Sequence, residues 1–384
     1  MDPVIEITSL AHGGDGVGRL EGQVCFVPMA LPGDTVRVQI EQTSSRFLRA
    51  SIGEIVTPSP HRVSAPCTNH GRCGACLWGH FAYPAQAEWK QRIVHENLAR
   101  IAGADIEVGW VENPDLRWGY RTRAEFHGDG EHFGFYAPNT HTVVDTASHP
   151  TCHPRLNETL AGLHDLRIKG EVTVTVNPEG EEVLIWTSFA QRRLKQRFPQ
   201  AECGQDRNKH RAYFIFDKAP VVNGTFSQAS LVLNRLLVKA VHGMLGEPVS
   251  VLDLYCGNGN LSHSLPGKVE VVGIDHSGFA VQMARKVSER DYREGDEDHM
   301  LRLLRKGSWD TVVLDPPRSG AKAIMPGLAK SRPRAIVYVS CDPATLARDL
   351  KTLATEGWQV KQCTAIDLFP QTPHVETVCR LERA

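Results

Sequence analysis

Short bursts of alternating apolar and polar residues fill the first 58 positions. Ile5-Glu6-Ile7, Gln23-Val24-Cys25-Phe26-Val27 and Thr35-Val36-Arg37-Val38-Gln39-Ile40 carry the two-residue period of half-buried strands, and so does 49–56. A Gly-rich stretch at 13–18 and Pro32-Gly33-Asp34 break them as turns. Five strands at this spacing predict a small barrel. Pro58 and Pro60 mark a boundary. From 86 to 102, Trp89, Ile93, Leu98 and Ile101 form a stripe at helical spacing, with Gly103 placed to stop it. Strands are expected at 121–126, 132–136, 171–176 and 183–187. Beyond about 217 the period changes. Apolar runs at 249–254, 269–274, 309–314 and 335–339 alternate with helical stretches. That is the pattern of a doubly wound parallel sheet. The predicted fold is α/β in three parts: a β-barrel over 1–58, a mixed α/β domain over 59–216 and a Rossmann-like domain over 217–384.

Composition narrows the setting. No run of about 18 apolar residues occurs, so no membrane span is expected. Met1-Asp2-Pro3-Val4-Ile5-Glu6 lacks the basic-then-apolar order of a signal peptide, and the cytoplasm is the expected location. The net charge of -1 offers no general attraction to nucleic acid. Any such contact must come from local patches, such as Arg121 with Arg123 or the basic run 192–197. The first loop, Gly13-Gly14-Asp15-Gly16-Val17-Gly18-Arg19, resembles that of the TRAM domain, a small RNA-binding barrel.

Ten cysteines in a cytosolic chain are not expected to be structural disulfides. Cys67, Cys73 and Cys76 lie in one loop, and Cys152 follows much later in His149-Pro150-Thr151-Cys152-His153. Four thiolates suit a four-iron, four-sulfur (4Fe-4S) cluster or a zinc ion. Zinc sites more often use two paired knuckles. The single distant fourth ligand favours the cluster, with zinc and an unliganded set as alternatives.

Asp253-Leu254-Tyr255-Cys256-Gly257-Asn258-Gly259 follows a strand and opens towards a helix. Such a turn lets a ligand approach the backbone. Asp275 ends the next strand about 20 residues on, where an acid accepts hydrogen bonds from a ribose. Asp296 is a candidate for the adenine side. The order resembles class I S-adenosylmethionine-dependent methyltransferases, with Tyr255, Gly257, Asp275 and Asp296 as candidate donor contacts. The G-x-G-x-x-G pyrophosphate fingerprint is missing.

Asp315-Pro316-Pro317-Arg318 follows the next strand, and Ser340-Cys341-Asp342-Pro343 the one after. Carbon 5 of uracil is too weak a nucleophile to take a methyl group unaided. A thiolate adding at carbon 6 activates it, and a base must later remove the carbon 5 proton. Cys341 and Glu376, in Pro373-His374-Val375-Glu376-Thr377-Val378, supply that pair. With Asn223-Gly224-Thr225-Phe226-Ser227-Gln228, these motifs resemble the RNA 5-methyluridine methyltransferase family. In that family the cysteine of S-C-D-P is the nucleophile and the glutamate of H-V-E the base. The glutamine of F-x-Q and the aspartate of D-P-P-R line the donor and uracil pocket. The resemblance implies these roles for Cys341, Glu376, Gln228 and Asp315. Two positions depart from the pattern: Ser230 stands where F-x-Q-x-N carries asparagine, and Asp275 where glutamate is common.

Members acting on 23S ribosomal RNA resemble this chain in having a TRAM barrel and a four-cysteine 4Fe-4S site, which the bacterial transfer-RNA member lacks. The resemblance thus implies a cluster on Cys67, Cys73, Cys76 and Cys152, and ribosomal RNA as substrate. Some cluster-bearing relatives modify the T-loop, which leaves transfer RNA as the alternative substrate. A non-catalytic iron–sulfur RNA-binding protein is the alternative outside enzymes. A monomer is expected.

Overall fold

The computed structural model describes residues 2–205 and 211–383. Strands β1 (Val4–Leu10), β2 (Gly16–Leu20), β3 (Gln23–Val27), β4 (Thr35–Thr43) and β5 (Phe47–Thr57) close into a barrel of order β1-β2-β3-β5-β4. Alternation puts Ile5, Ile7, Cys25, Val27, Val36, Val38 and Ala50 inside. Buried Asp34 ties the barrel to the next segment. Burial alone would raise its carboxyl, yet Arg62 and the Leu31 and Ser59 amides hold it below the usual range.

Helix α1 (Tyr83–Asn97) runs on through one π-helical turn, and Gly103, with φ 68°, ends it. Strand β6 (Val108–Val111) follows. Strands β7 (Arg123–Asp129), β8 (Phe133–Tyr136) and β9 (Val143–Asp145), helix α2 (Pro154–His164), then β10 (Lys169–Val176), β11 (Val183–Thr187), α3 (Arg192–Arg197) and β12 (Glu202–Cys203) come next. They build a six-stranded sheet, order β12-β11-β10-β7-β8-β9. Leu156, Leu160 and Leu163 of α2 pack on Phe126, Val172, Val174 and Ile185 of the sheet. Strands β13 (Tyr213–Phe216) and β14 (Ala219–Val222) form a hairpin.

The remaining elements are α4 (Leu231–Leu245), β15 (Ser250–Leu254), β16 (Glu270–Asp275), α5 (Gly278–Val287), β17 (Asp291–Glu294), α6 (Glu297–Lys306), β18 (Thr311–Leu314), α7 (Met325–Lys330), β19 (Ala335–Ser340), α8 (Pro343–Ala354), β20 (Trp358–Ile366) and β21 (Glu376–Arg383). Their sheet has eight strands in the order β17-β16-β15-β18-β19-β21-β20-β6. Both faces are covered, so its central strands β15, β18 and β19 are buried throughout and mostly apolar. Val337 and Val339 of β19 face α4, while Ile336 and Tyr338 face α8. Although α1 and β6 lie in the 59–216 stretch, they sit on this sheet. β6 pairs with β20, and Val94, Leu98 and Val108 share a core with Leu346 and Leu350 of α8. Among the described residues, no helix is long and apolar enough to cross a membrane.

Candidate active site

Open α/β sheets bind ligands at the carboxyl ends of their strands, where the strand order reverses. Here that point lies between β15 and β18. The loops after β15, β16, β18 and β19 border one cleft of about 1640 Å3. Small-ligand pockets run from about 300 to 1,000 Å3, so this one has room for two ligands. Gln228, Tyr255, Gly257, Asp275, Asp315, Cys341 and Glu376 all line it.

At one end, the Gly257 N–H donates to Asp275 Oδ2 at 3.0 Å and the Ser277 N–H to Oδ1 at 2.7 Å. The tight turn needs left-handed backbone at both Tyr255 (φ 60°) and Gly257 (φ 53°). Behind it Asp253 is fully buried. Its Oδ2 accepts the Ser262 hydroxyl at 2.5 Å, and Oδ1 has no partner. Burial, then the charge of Asp275, pushes Asp253 up to about 7. Asp315 also rises to about 7, from burial and then Asp253 and Asp275. Three crowded carboxyls of this kind fit a cationic ligand, since a positive charge would relieve their mutual repulsion. A sulfonium methyl donor has that charge.

At the other end, β21 runs antiparallel to β19 and Ser340 pairs with Thr377. The next residue on one strand and the previous residue on the other, Cys341 and Glu376, therefore meet at the sheet edge. Glu376 is 3% exposed, and its Oε1 has no hydrogen-bond partner. Burial, then Asp315, raises its carboxyl well above the ordinary value. The Cys341 thiol is pushed up to about 11, chiefly by burial and next by Glu376, against a lowering charge and hydrogen bond from Arg318. Arg318 Nη2 also donates to His374 Nδ1 at 2.8 Å. Burial and Arg318 bring His374 down to about 3, so it stays a neutral acceptor.

Asp296 stands apart from this group. It is exposed, lies outside the cleft lining, and caps α6 by accepting the His299 N–H. Ser230 also serves as a cap: its hydroxyl accepts the Leu233 N–H at 3.2 Å at the start of α4. Asparagine is an equally good cap at such a position. Two residues were not identified from sequence: Arg318 as the partner of the thiol and Asp253 as a buried acid behind the site. The available signal for Asp253 was an acid inside an apolar strand.

The four cysteines converge. Cys73, Cys76 and Cys152 are buried and Cys67 is partly so. Cys76 is pushed up to about 12 by burial and then by Cys73, Cys67 and Cys152. The Gly74 N–H donates to Tyr136 at 2.9 Å, holding the loop on the six-stranded sheet. The backbone of Arg121 bridges to Cys152; burial raises the Cys73, Cys76 and Cys152 thiols, and the Arg121 guanidinium opposes that rise. Among the described residues, the ligand group whose donor atoms all lie within 4.8 Å of one another is Glu125, His127 and Glu171, which contains no cysteine.

Residues 4–52 match the TRAM domain, and residues 301–384 match the tRNA (uracil-5-)-methyltransferase family. A 23S rRNA (uracil(1939)-C(5))-methyltransferase of Thiobacillus denitrificans is 30% identical over the full length of both chains. An uncharacterized RNA methyltransferase of Bdellovibrio bacteriovorus is 32% identical over 98% of this chain and 94% of its own. The structure of Pyrococcus abyssi tRNA (uracil-54, C5)-methyltransferase with S-adenosyl-L-homocysteine aligns at a TM-score of 0.77 and 26% identity, covering 98% of this chain and 99% of that one. The chain belongs to the RNA (uracil-5-)-methyltransferases, enzymes that methylate carbon 5 of uracil from S-adenosylmethionine.

Proposed function

We propose that the chain methylates one specific uridine of 23S ribosomal RNA, with Cys341 as nucleophile and Glu376 as base. The placement of Cys341 beside Glu376 in the cleft that also holds the three-carboxyl end carries this reading. S-adenosylmethionine supplies the methyl group and a positive charge. Arg318 favours the Cys341 thiolate, which adds to carbon 6 of the uracil. After transfer, Glu376 takes the carbon 5 proton and the thiolate leaves. Tyr255, Gly257, Asp275 and Gln228 border the donor, and Asp315 lies between the two ends.

Cys67, Cys73, Cys76 and Cys152 would hold a 4Fe-4S cluster. Burial of Cys73, Cys76 and Cys152, and the charge influence of Cys67, Cys73 and Cys152 on the Cys76 thiol, support a shared site for the four. Methyl transfer needs no electron from it, so the cluster's part is structural or in contact with RNA.

Full-length relatives named for 23S ribosomal RNA, from Thiobacillus denitrificans and Shewanella sediminis, support the ribosomal substrate. The likeness to the Pyrococcus abyssi transfer-RNA enzyme supports the second reading, the same reaction on transfer RNA. The reading places the enzyme in the cytoplasm, acting as a monomer. Mapping 5-methyluridine in total RNA with and without the protein decides the substrate. A site lost from 23S RNA bears the proposal out, and one lost only from transfer RNA moves the substrate.

A further inference from the structure

The first turn of the barrel touches the nucleophile loop. His12, between β1 and β2, places Nε2 3.2 Å from Oδ2 of Asp342, the residue after Cys341. The other oxygen of Asp342 accepts the Thr345 N–H at 2.8 Å and caps α8. The same turn meets two further segments of the site. The Gly14 carbonyl accepts the Trp78 Nε1–H at 3.3 Å, two residues past Cys76. A Cβ on Gly14, whose φ is +92°, would lie 2.8 Å from Pro373 Cβ, three residues before Glu376. Gly13 lines the cleft itself.

His12 is not among the residues that fill the barrel core, so the barrel's own packing does not explain it. Cys341 sits between two fixed points, the Ser340–Thr377 pair and the Asp342 cap. Whatever orients Asp342 also orients the peptide that carries the thiol. We propose that His12 is a positioning residue that acts on Cys341 through Asp342, so that docking of the barrel turn seats the nucleophile. The barrel's part in the reaction then extends beyond holding RNA. This inference rests on Cys341 being the nucleophile.

The test measures covalent adduct formation with 5-fluorouridine RNA at saturating RNA, and RNA affinity separately. The variants are His12→Ala, His12→Gln, Asp342→Asn and the His12→Ala/Asp342→Asn pair. His12→Ala should slow adduct formation about tenfold, a loss in keeping with small misplacements of reacting groups, and leave RNA affinity within about twofold. His12→Gln keeps a donor for Asp342 and should restore most of the rate. In the Asp342→Asn background the His12→Ala loss should vanish, because the two act as one unit. Gly14→Ala, which presses on Pro373, should slow the reaction independently of Asp342. Losses that multiply in the pair overturn the proposal. So does a loss confined to RNA affinity, which would make His12 an RNA contact. A wild type that forms no adduct removes the underlying reading instead. A wild type no faster than His12→Ala overturns only the role of His12.

Discussion

Cys341 and Glu376 stand opposite each other because β21 runs antiparallel to β19 with Ser340 on Thr377. A parallel final strand would begin at the far edge of the sheet. Reversing its direction brings residue 376 to the edge where residue 341 ends its strand.

Replacing Glu376 by Gln removes the proton acceptor but keeps the side chain's shape. Turnover should fall by about 100-fold or more, the usual contribution of a positioned base. The Cys341–uracil adduct should accumulate on ordinary RNA, because elimination follows proton removal. Denaturing gel electrophoresis of the RNA–protein species checks this.

Arg318 is the group that pulls the Cys341 thiol down against burial and Glu376. In Arg318→Met the thiol should rise above its present value of about 11. The rise of adduct rate with pH then moves to higher pH. At a fixed pH below the thiol's value, the rate drops about tenfold for every pH unit by which the thiol rises. The pH profile of adduct formation, measured between neutral and alkaline pH, reads that displacement.

Donor binding should depend on pH. Asp253 and Asp315 both sit at about 7, raised by burial and by neighbouring carboxyls. A bound cation favours their ionised forms, so it lowers both values and expels protons. Affinity for S-adenosylmethionine should therefore weaken as pH falls below about 7, by up to tenfold per pH unit for each group involved. Asp315→Asn should flatten the curve. Calorimetry over pH 5 to 8, run in buffers that differ in ionisation heat, measures both the affinity and the protons released, with about one expected per group.

The purified protein should carry about four iron and four sulfide per chain and no zinc. Cys76→Ser should lose the iron and the visible absorption of the cluster, and lower thermal stability, since Cys76 is buried. One zinc per chain would replace the cluster in this account.

Much of the fold was legible because burial leaves a periodic trace. The barrel strands alternate, and β15, β18 and β19 read as apolar runs because helices cover both faces. Strand β6 left no trace: it has four residues, three of them only partly buried. Helix α1 was recognised, but its place on the large sheet depends on Val94 and Leu98 meeting α8, a contact across some 250 positions of sequence. Cys341 and Glu376 could be named because their chemistry requires a pair. Asp296 lies outside the cleft lining, because following a strand does not fix which way a side chain turns, and its carboxylate caps α6. The His12–Asp342 contact spans 330 residues and follows no local period.

The central claim is that Cys341 forms the covalent bond to uracil. Fluorine at carbon 5 cannot leave as a proton, so 5-fluorouridine RNA should trap that bond after methyl transfer. Wild-type protein should give a stable complex whose digest carries the nucleotide on the peptide holding Cys341, and Cys341→Ala should give neither complex nor methylated RNA. Methylation by Cys341→Ala, or an adduct on another cysteine, would contradict it.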